Sequence, residues 1–170
     1  MTIKKKALLY DIANMAYMIA DKGHDLTSET CHDLHRVRDI CEEGNIDRVA
    51  RVLGLAFSHI LVALAPILEK QSLNLESDFS ALPRNYPLEF LKDPEIKFAL
   101  TDEIKLCIKE TAHEYMVAMV LADWLSMTFP QAADVWKFRS EAAMEKLKET
   151  LSSMSDTSFP GAFRRRLSPF

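Results

Sequence analysis

The sequence predicts an all-α protein, a single bundle of about five helices followed by an extended C-terminal tail. Glycine and proline are scarce, 4 and 7 among 170 residues, roughly half of their combined share of about 12% in average proteins. Folds that need many tight turns, such as sandwiches and small barrels, are therefore disfavoured. Apolar residues recur at helical spacing along most of the chain. The chain is also long enough to bury a core without disulfides or a structural metal.

Apolar positions three or four residues apart predict the first two helices. The first spans residues 4–21 and ends at Gly23, because glycine commonly follows the last helical turn. Thr27 or Ser28 can cap the second helix, since a side-chain oxygen there accepts one of the unpaired N–H groups of the first turn. We expect that helix to extend to about residue 43.

The third helix is predicted from its N-cap, Asn45, to about residue 70. Pro66 should kink it or end its regular part, because proline lacks the N–H that bonds to the preceding turn. The 17 residues from 52 to 68 carry no charge, but they would span only about 25 Å, less than the roughly 30 Å hydrocarbon core of a bilayer. A buried helix is predicted here rather than a membrane span.

Residues 71–100 are the irregular part of the chain and contain three prolines. Between residues 86 and 100, apolar residues alternate at period two, which is compatible with one short β-hairpin. The alternative is a helix that starts at Asp93 with Pro94 at its first position. The hairpin is the favoured interpretation.

Two long helices complete the bundle. Thr101 caps the fourth, which runs to about residue 128, and its second half is apolar on nearly every side, as expected in the middle of a bundle. Pro130 opens the fifth helix, which extends to about residue 153 with Val135 on its inner face. The predicted core residues are Leu8, Ile12, Val37, Leu55, Ile60, Tyr115, Ala122, Trp124, Leu125, Trp136 and Leu147.

Charge and cysteine content narrow the class of protein. The net charge of −4 argues against a nucleic-acid binder, which needs clustered lysines and arginines. The three cysteines, Cys31, Cys41 and Cys107, are odd in number and form no CxxC pair. Neither a disulfide framework nor a zinc knuckle is indicated, and a reducing, cytoplasmic location is expected.

Two Glu-x-x-His pairs, Glu29 with His32 and Glu110 with His113, have the spacing by which di-iron bundles bind metal. Such a site also needs a glutamate from each of two further helices, and the sequence lacks them. His35 lies near His32, but two ligands on one helix do not make a site. The sequence therefore predicts no metal and no cofactor, and these four residues, His32, His35, Glu110 and His113, are the ones that a metal would use.

Enzymatic motifs are missing as well, since no glycine-rich phosphate loop, G-x-S-x-G or HExxH is present. Asp123 lies in the most apolar stretch, and we expect a partly buried structural carboxylate that caps a helix or pairs with an arginine. His59 is predicted to be a core residue bonded to a backbone carbonyl, and His113 to be buried and structural.

Four methionines lie at i, i+3 spacing on two helices: Met15, Met18, Met116 and Met119. Core packing is the expected role, and a soft partner-binding surface is the alternative.

The tail, residues 154–170, is the second unit after a helical domain of residues 1–153. Three arginines against one aspartate give the tail a net charge of +2, which leaves −6 on the body. The segment is too apolar for a solubilising end, so we expect an arm that orders on a partner or a neighbouring subunit; a frayed terminus is the alternative. The residues predicted to bind the partner are Phe159, Phe163, Arg164, Arg165, Arg166 and Phe170.

Several segments resemble a known group of proteins. They are Leu9-Tyr10-Asp11-Ile12-Ala13-Asn14, Glu114-Tyr115-Met116-Val117, Leu121-Ala122-Asp123-Trp124-Leu125, Ala142-Ala143-Met144 and the arginine-rich end with Pro169-Phe170. Together they resemble uncharacterised helical proteins of prophage-like elements. In outline the chain is also similar to small helical head–tail connector proteins of phage necks, which assemble as rings and grip neighbours with extended arms. That resemblance implies a location in a phage-type particle as the alternative to the cytoplasm.

We therefore expect a non-enzymatic structural or adaptor protein that forms a homo-oligomer or binds a protein partner through the tail. One alternative is a metal-dependent helical enzyme that uses His113, Glu110, Asp123 and either His32 or His35. The other is a small helical regulatory protein whose acidic body binds a basic partner.

Overall fold

The computed structural model describes residues 3, 5–23, 31–65 and 101–157. Their helices are α1 (Lys5–Gly23), α2 (Cys31–Arg38), α3 (Ile46–Leu64), α4 (Asp102–Thr128) and α5 (Pro130–Thr157), with a 3₁₀ turn, Asp39–Cys41, directly after α2. No strand occurs in these ranges, and the predicted all-α class and five helices are confirmed for them. The predicted hairpin between residues 86 and 100 and the predicted cap at Thr27 or Ser28 lie outside the described residues.

Local signals set several of the helix ends. The Thr101 side-chain oxygen accepts a hydrogen bond from the Ile104 N–H at 3.4 Å, which is the predicted N-cap. Pro130 is the first residue of α5, where its missing N–H costs nothing. α3 ends at Leu64, shortly before Pro66. None of the helices described is both long and apolar enough to cross a membrane.

α2 and the turn that follows it differ from the prediction. The α-helix ends at Arg38 rather than near residue 43, and the chain tightens into the 3₁₀ turn. Asn45 precedes α3, but its side chain makes no capping hydrogen bond. Instead its amide nitrogen donates to the Asp39 carbonyl at 2.9 Å, which holds the chain reversal between the two helices.

α5 is longer than predicted and ends at Thr157 rather than near residue 153. Serines in this region favour a helix end by propensity, because their hydroxyls compete for backbone groups. Here the hydroxyls of Ser152 and Ser153 donate to the carbonyls of Glu149 and Thr150, at 2.9 and 2.8 Å, one turn back in the same helix. The predicted tail therefore begins with four helical residues, and its remainder, 158–170, lies outside the described part of the chain.

α4 is the central helix, since it contacts α1, α2, α3 and α5. Its buried residues point to every side of the helix, as the apolar second half predicts. The Trp124 indole N–H donates to the Val37 carbonyl at 3.1 Å, in a buried hydrogen bond that joins α4 to α2. This bond satisfies a carbonyl near the end of α2, where helical partners run out.

Most of the predicted core is buried, namely Leu8, Ile12, Val37, Ile60, Tyr115, Trp124, Leu125 and Leu147, while Ala122 and Trp136 are partly buried. Two predictions are wrong, because Leu55 is 48% exposed and Val135 is 60% exposed. On α3, Leu53 faces the core, and Leu55 lies about 200° further round the helix. The uncharged run predicted burial on all sides of α3, whereas only one side is packed.

Candidate functional site

His113 and Asp11 form a polar pair between two helices. Nε2 of His113 lies 2.7 Å from Oδ2 of Asp11, which joins α4 to α1. The His113 side chain is 27% exposed and that of Asp11 is 44% exposed, so the histidine is partly rather than fully buried. The two residues are 102 positions apart in the chain, and no sequence signal connects them.

The residues proposed for a metal do not come together. His113 and Asp123 lie on the same helix, ten residues apart, which separates them by about 15 Å along its axis. A single ion cannot bind both. Glu110 and His35 are exposed, and the side chain of His32 lies outside the described part. Among the described side chains, no group of three or more His, Cys, Asp or Glu is placed to hold a metal.

Asp123 forms the structural ion pair that the sequence predicts. The Arg48 Nε–H donates to its Oδ2 at 2.9 Å, which joins α3 to α4. The side chains are 34% and 36% exposed, so a charge-assisted hydrogen bond adds to an ion pair that water partly screens. The sequence indicated an arginine partner, and the structure identifies which one.

His59 and Tyr115 form a second contact between the same two helices. Nδ1 of His59 lies 2.7 Å from the Tyr115 hydroxyl oxygen. The prediction of a core histidine bonded to a backbone carbonyl is wrong, because the residue is exposed and its partner is a side chain. Burial raises the pKa of the Tyr115 phenol above its ordinary value. As Arg48 pairs with Asp123 and His59 with Tyr115, α3 and α4 run antiparallel.

Tyr115 and Asp123 both line an open groove that follows α4 alongside α5. Its volume is about 770 Å³, enough for several side chains of a bound peptide. Its apolar surface includes Met119, Ala122 and Met144. The described residues around it are Tyr115, Met119, Ala122, Asp123, Ser126, Ala133, Asp134, Lys137, Ser140, Glu141, Met144, Glu145 and Lys148.

One stripe of α3 lies beside this groove, whose lining residues belong to α4 and α5. Arg48 and His59 contact groove residues of α4, and Leu55 and Val62 fall within about 40° of Arg48 around the helix. Leu55 and Val62 are 48% and 73% exposed. They therefore present apolar side chains on the face of α3 that carries Arg48 and His59, next to the groove.

Large apolar side chains are also exposed on other helices. On α1, Tyr10 and Tyr17 are 70% and 55% exposed and lie two turns apart on one face. On α5, Val135 and Phe138 are 60% and 71% exposed. The remaining large hydrophobic residues that the structure exposes are Met18, Leu106 and Met127.

The methionines divide between the two expected roles. Met116 is buried in the core, as core packing predicts, whereas Met18 is 45% exposed. Met119 packs against the core and also lines the groove. A flexible, polarizable thioether suits such a surface, because it adapts to the shape of an incoming side chain.

The predicted partner-binding residues of the tail, from Phe159 to Phe170, lie outside the described residues. What the structure adds is the groove and the exposed apolar stripes, which sequence periodicity could not locate, because they depend on how α3 and α5 flank α4. In comparisons with known families, curated proteins and solved structures, the chain has no significant match.

Proposed function

We propose that this chain is a non-enzymatic structural or adaptor protein that self-associates or docks a protein partner through its C-terminal tail. The resemblance to helical prophage proteins and to phage neck proteins extends the proposal to a neck-type component of a phage particle. The metal-dependent alternative has less support, because its candidate ligands His113 and Asp123 are each bonded to another residue and lie far apart on α4.

The observation that carries the proposal is the exposed apolar surface. Tyr10 and Tyr17 on one face of α1 are exposed by 70% and 55%. Leu55 and Val62 on one face of α3 are exposed by 48% and 73%. Single exposed hydrophobic residues are ordinary, whereas groups on one helix face mark sites of protein interaction. Aromatic side chains such as those of Tyr10 and Tyr17 are enriched at protein interfaces.

The acidic body supplies a second argument. Residues 1–153 carry a net charge of −6, and the tail is basic. Opposite charges of this kind steer association and fix orientation. The regulatory alternative uses the same acidic surface, and it differs in that the basic partner is another protein.

The end of α5 fixes how the tail should be removed. A chain that stops at Thr157 keeps the whole helix, whereas a deletion from residue 154 would cut its last turn. We expect the full chain to show a mass above that of one chain in light scattering after size exclusion, rising with concentration. The chain ending at Thr157 should remain a monomer.

A matched control replaces Arg164, Arg165 and Arg166 by lysine, which keeps the length and charge of the tail. This variant should self-associate with nearly the same affinity as the natural chain if the tail binds through its charge and its aromatic side chains. A full chain that is monomeric at every concentration, and whose pull-down partners are unchanged by the truncation, would contradict the proposal.

A further inference from the structure

The groove along α4 has the chemistry of a peptide-binding surface. Its base is apolar and includes two methionines, Met119 and Met144, which pack well against aromatic rings. Its α5 side carries Asp134, Glu141 and Glu145 together with two lysines, and Asp123 at the α4 side is paired with arginine. Because Arg48 neutralises Asp123, three acids and two lysines remain, and the groove has an excess of one negative charge.

The charge of this surface selects one occupant among the segments outside the described residues. Residues 66–100 contain six acids and four bases, a net charge of −2, and residues 24–30 contain two acids and no lysine or arginine. Residues 158–170 contain three arginines and no acid. The tail is therefore the segment whose charge is complementary to the groove.

The tail sequence also favours an extended chain whose length matches that of the groove. Pro160 and Pro169 disfavour a helix and favour an extended chain. An extended chain rises about 3.3 Å per residue, so residues 163–170 span about 26 Å. The α5 side of the groove runs from Ala133 to Lys148, about 22 Å of helix. Because side chains alternate along an extended chain, Phe163 and Leu167 would share one side.

The distance that the tail can span from the end of α5 indicates which copy supplies it. α5 continues nine residues past Lys148 to Thr157, about 14 Å beyond the end of the groove. If the chain turned back on itself at residues 158–161, Arg164, Arg165 and Arg166 would lie about 7–13 Å from the end of α5. Their backbone would stop about 5 Å short of Glu145 and about 11 Å short of Glu141. Its own tail could therefore reach Glu145 only with an extended arginine side chain, and it could not bring all three arginines alongside the groove. The tail of a second copy has no such restriction.

We infer that residues 158–170 of a second copy bind in this groove, with Phe163 and Leu167 against Met119 and Met144 and with Arg164 and Arg166, on the other side of the extended chain, at Glu141 and Glu145. The inference rests on the proposed function, in which the tail is the docking arm, and it adds the receptor surface. Arm and groove are different surfaces, so each copy can give one arm and receive another. Such a head-to-tail contact closes into a ring or continues as a filament.

The test reverses charge on each side of the contact in the full chain. The groove variant is E141K/E145K, and its matched control is E149K, on an exposed residue of the same helix that does not line the groove. The tail variant is R164E/R165E/R166E. We expect the groove and tail variants each to raise the dissociation constant for self-association at least about tenfold, and E149K to leave it unchanged within about twofold.

Mixing the two impaired variants gives the sharper result. E141K/E145K retains a natural tail and R164E/R165E/R166E retains a natural groove, so the mixture should associate in light scattering where neither variant alone does, in assemblies that contain the two variants in equal amounts. High salt should weaken these assemblies, because screening reduces the attraction between the arginines and the acidic rim. Circular dichroism of each variant confirms that the helices are intact.

Several outcomes would overturn the inference. If E141K/E145K associates as the natural chain does while truncation at Thr157 abolishes association, the tail binds elsewhere and only the proposed function stands. If truncation has no effect on a self-associating chain, both fail. If the mixture forms no complex although each variant is folded, the occupant is the chain's own tail or residues 66–100, and the second copy is excluded.

Discussion

Replacing Leu53 by alanine should destabilise the bundle much more than replacing Leu55, although both are leucines on α3 two positions apart. Leu53 is 1% exposed and Leu55 is 48% exposed. The two substitutions are chemically identical and gain the same helix propensity, so helix formation contributes equally to both. Their difference in unfolding free energy therefore measures only what surrounds each side chain.

The magnitudes follow from burial. Leu53→Ala removes a fully buried side chain and leaves a cavity, for which a loss of about 3 kcal/mol is expected, within a range of roughly 2–5 kcal/mol. At Leu55 only about half of the side chain is removed from water, so Leu55→Ala loses about half of the transfer free energy, and no closed cavity forms. The free energy of unfolding should therefore fall by about 1 kcal/mol or less. For a chain of this size, the melting temperature should fall by about 6–12 °C for Leu53→Ala and by no more than about 4 °C for Leu55→Ala.

Urea unfolding followed by helical circular dichroism and tryptophan fluorescence measures both values, because Trp124 is buried and reports on the core. Dilute protein should be used, since a second copy in the groove would cover Leu55. The reasoning is refuted if Leu55→Ala is as destabilising as Leu53→Ala under these conditions. That result would mean that Leu55 is packed inside the monomer.

Three further predictions concern single side chains. Trp124→Phe removes the hydrogen bond to the Val37 carbonyl and should lower the free energy of unfolding in urea by about 1–3 kcal/mol. The same change at the partly buried Trp136 should cost less. Equal losses would contradict a role for this bond. Burial raises the pKa of Tyr115. The contribution of Tyr115 to the free energy of unfolding should therefore be fully present below the ordinary tyrosine pKa of about 10, and it should be lost as pH rises through the raised value. Tyr115→Phe should lessen that alkaline loss in urea titrations, and an identical alkaline slope in both proteins would count against it. Burial also raises the pKa of the Cys41 thiol. Iodoacetamide should therefore modify Cys41 more slowly in the folded protein than in urea, which peptide mass spectrometry measures. Equal rates of modification would contradict the burial of this thiol.

Helix ends that depend on adjacent residues could be predicted from sequence. Thr101 caps α4 and Pro130 opens α5, because capping and proline geometry involve only the next turn. The predicted end of α5, near residue 153, is too early. The hydroxyls of Ser152 and Ser153 bond within the helix, which continues to Thr157.

Features that depend on distant residues could not be predicted in full. The sequence predicts that Asp123 caps a helix or pairs with an arginine, but nothing in it selects Arg48, which is 75 positions away. The exposure of Leu55 was missed because an uncharged helix has no polar stripe to show which side meets solvent. The groove could not be predicted for a similar reason, since its existence depends on how α4 and α5 pack against each other rather than on either helix alone.

The antiparallel pairing of α3 and α4 also sets how much chain is needed to join them. Since His59 lies level with Tyr115, Leu64 lies level with about residue 110, and α4 starts about 12 Å further along. With helices about 8–10 Å apart, roughly five extended residues would bridge the ends. The connection between Leu64 and Asp102 has 37 residues. Joining α3 to α4 therefore needs only a small part of that length.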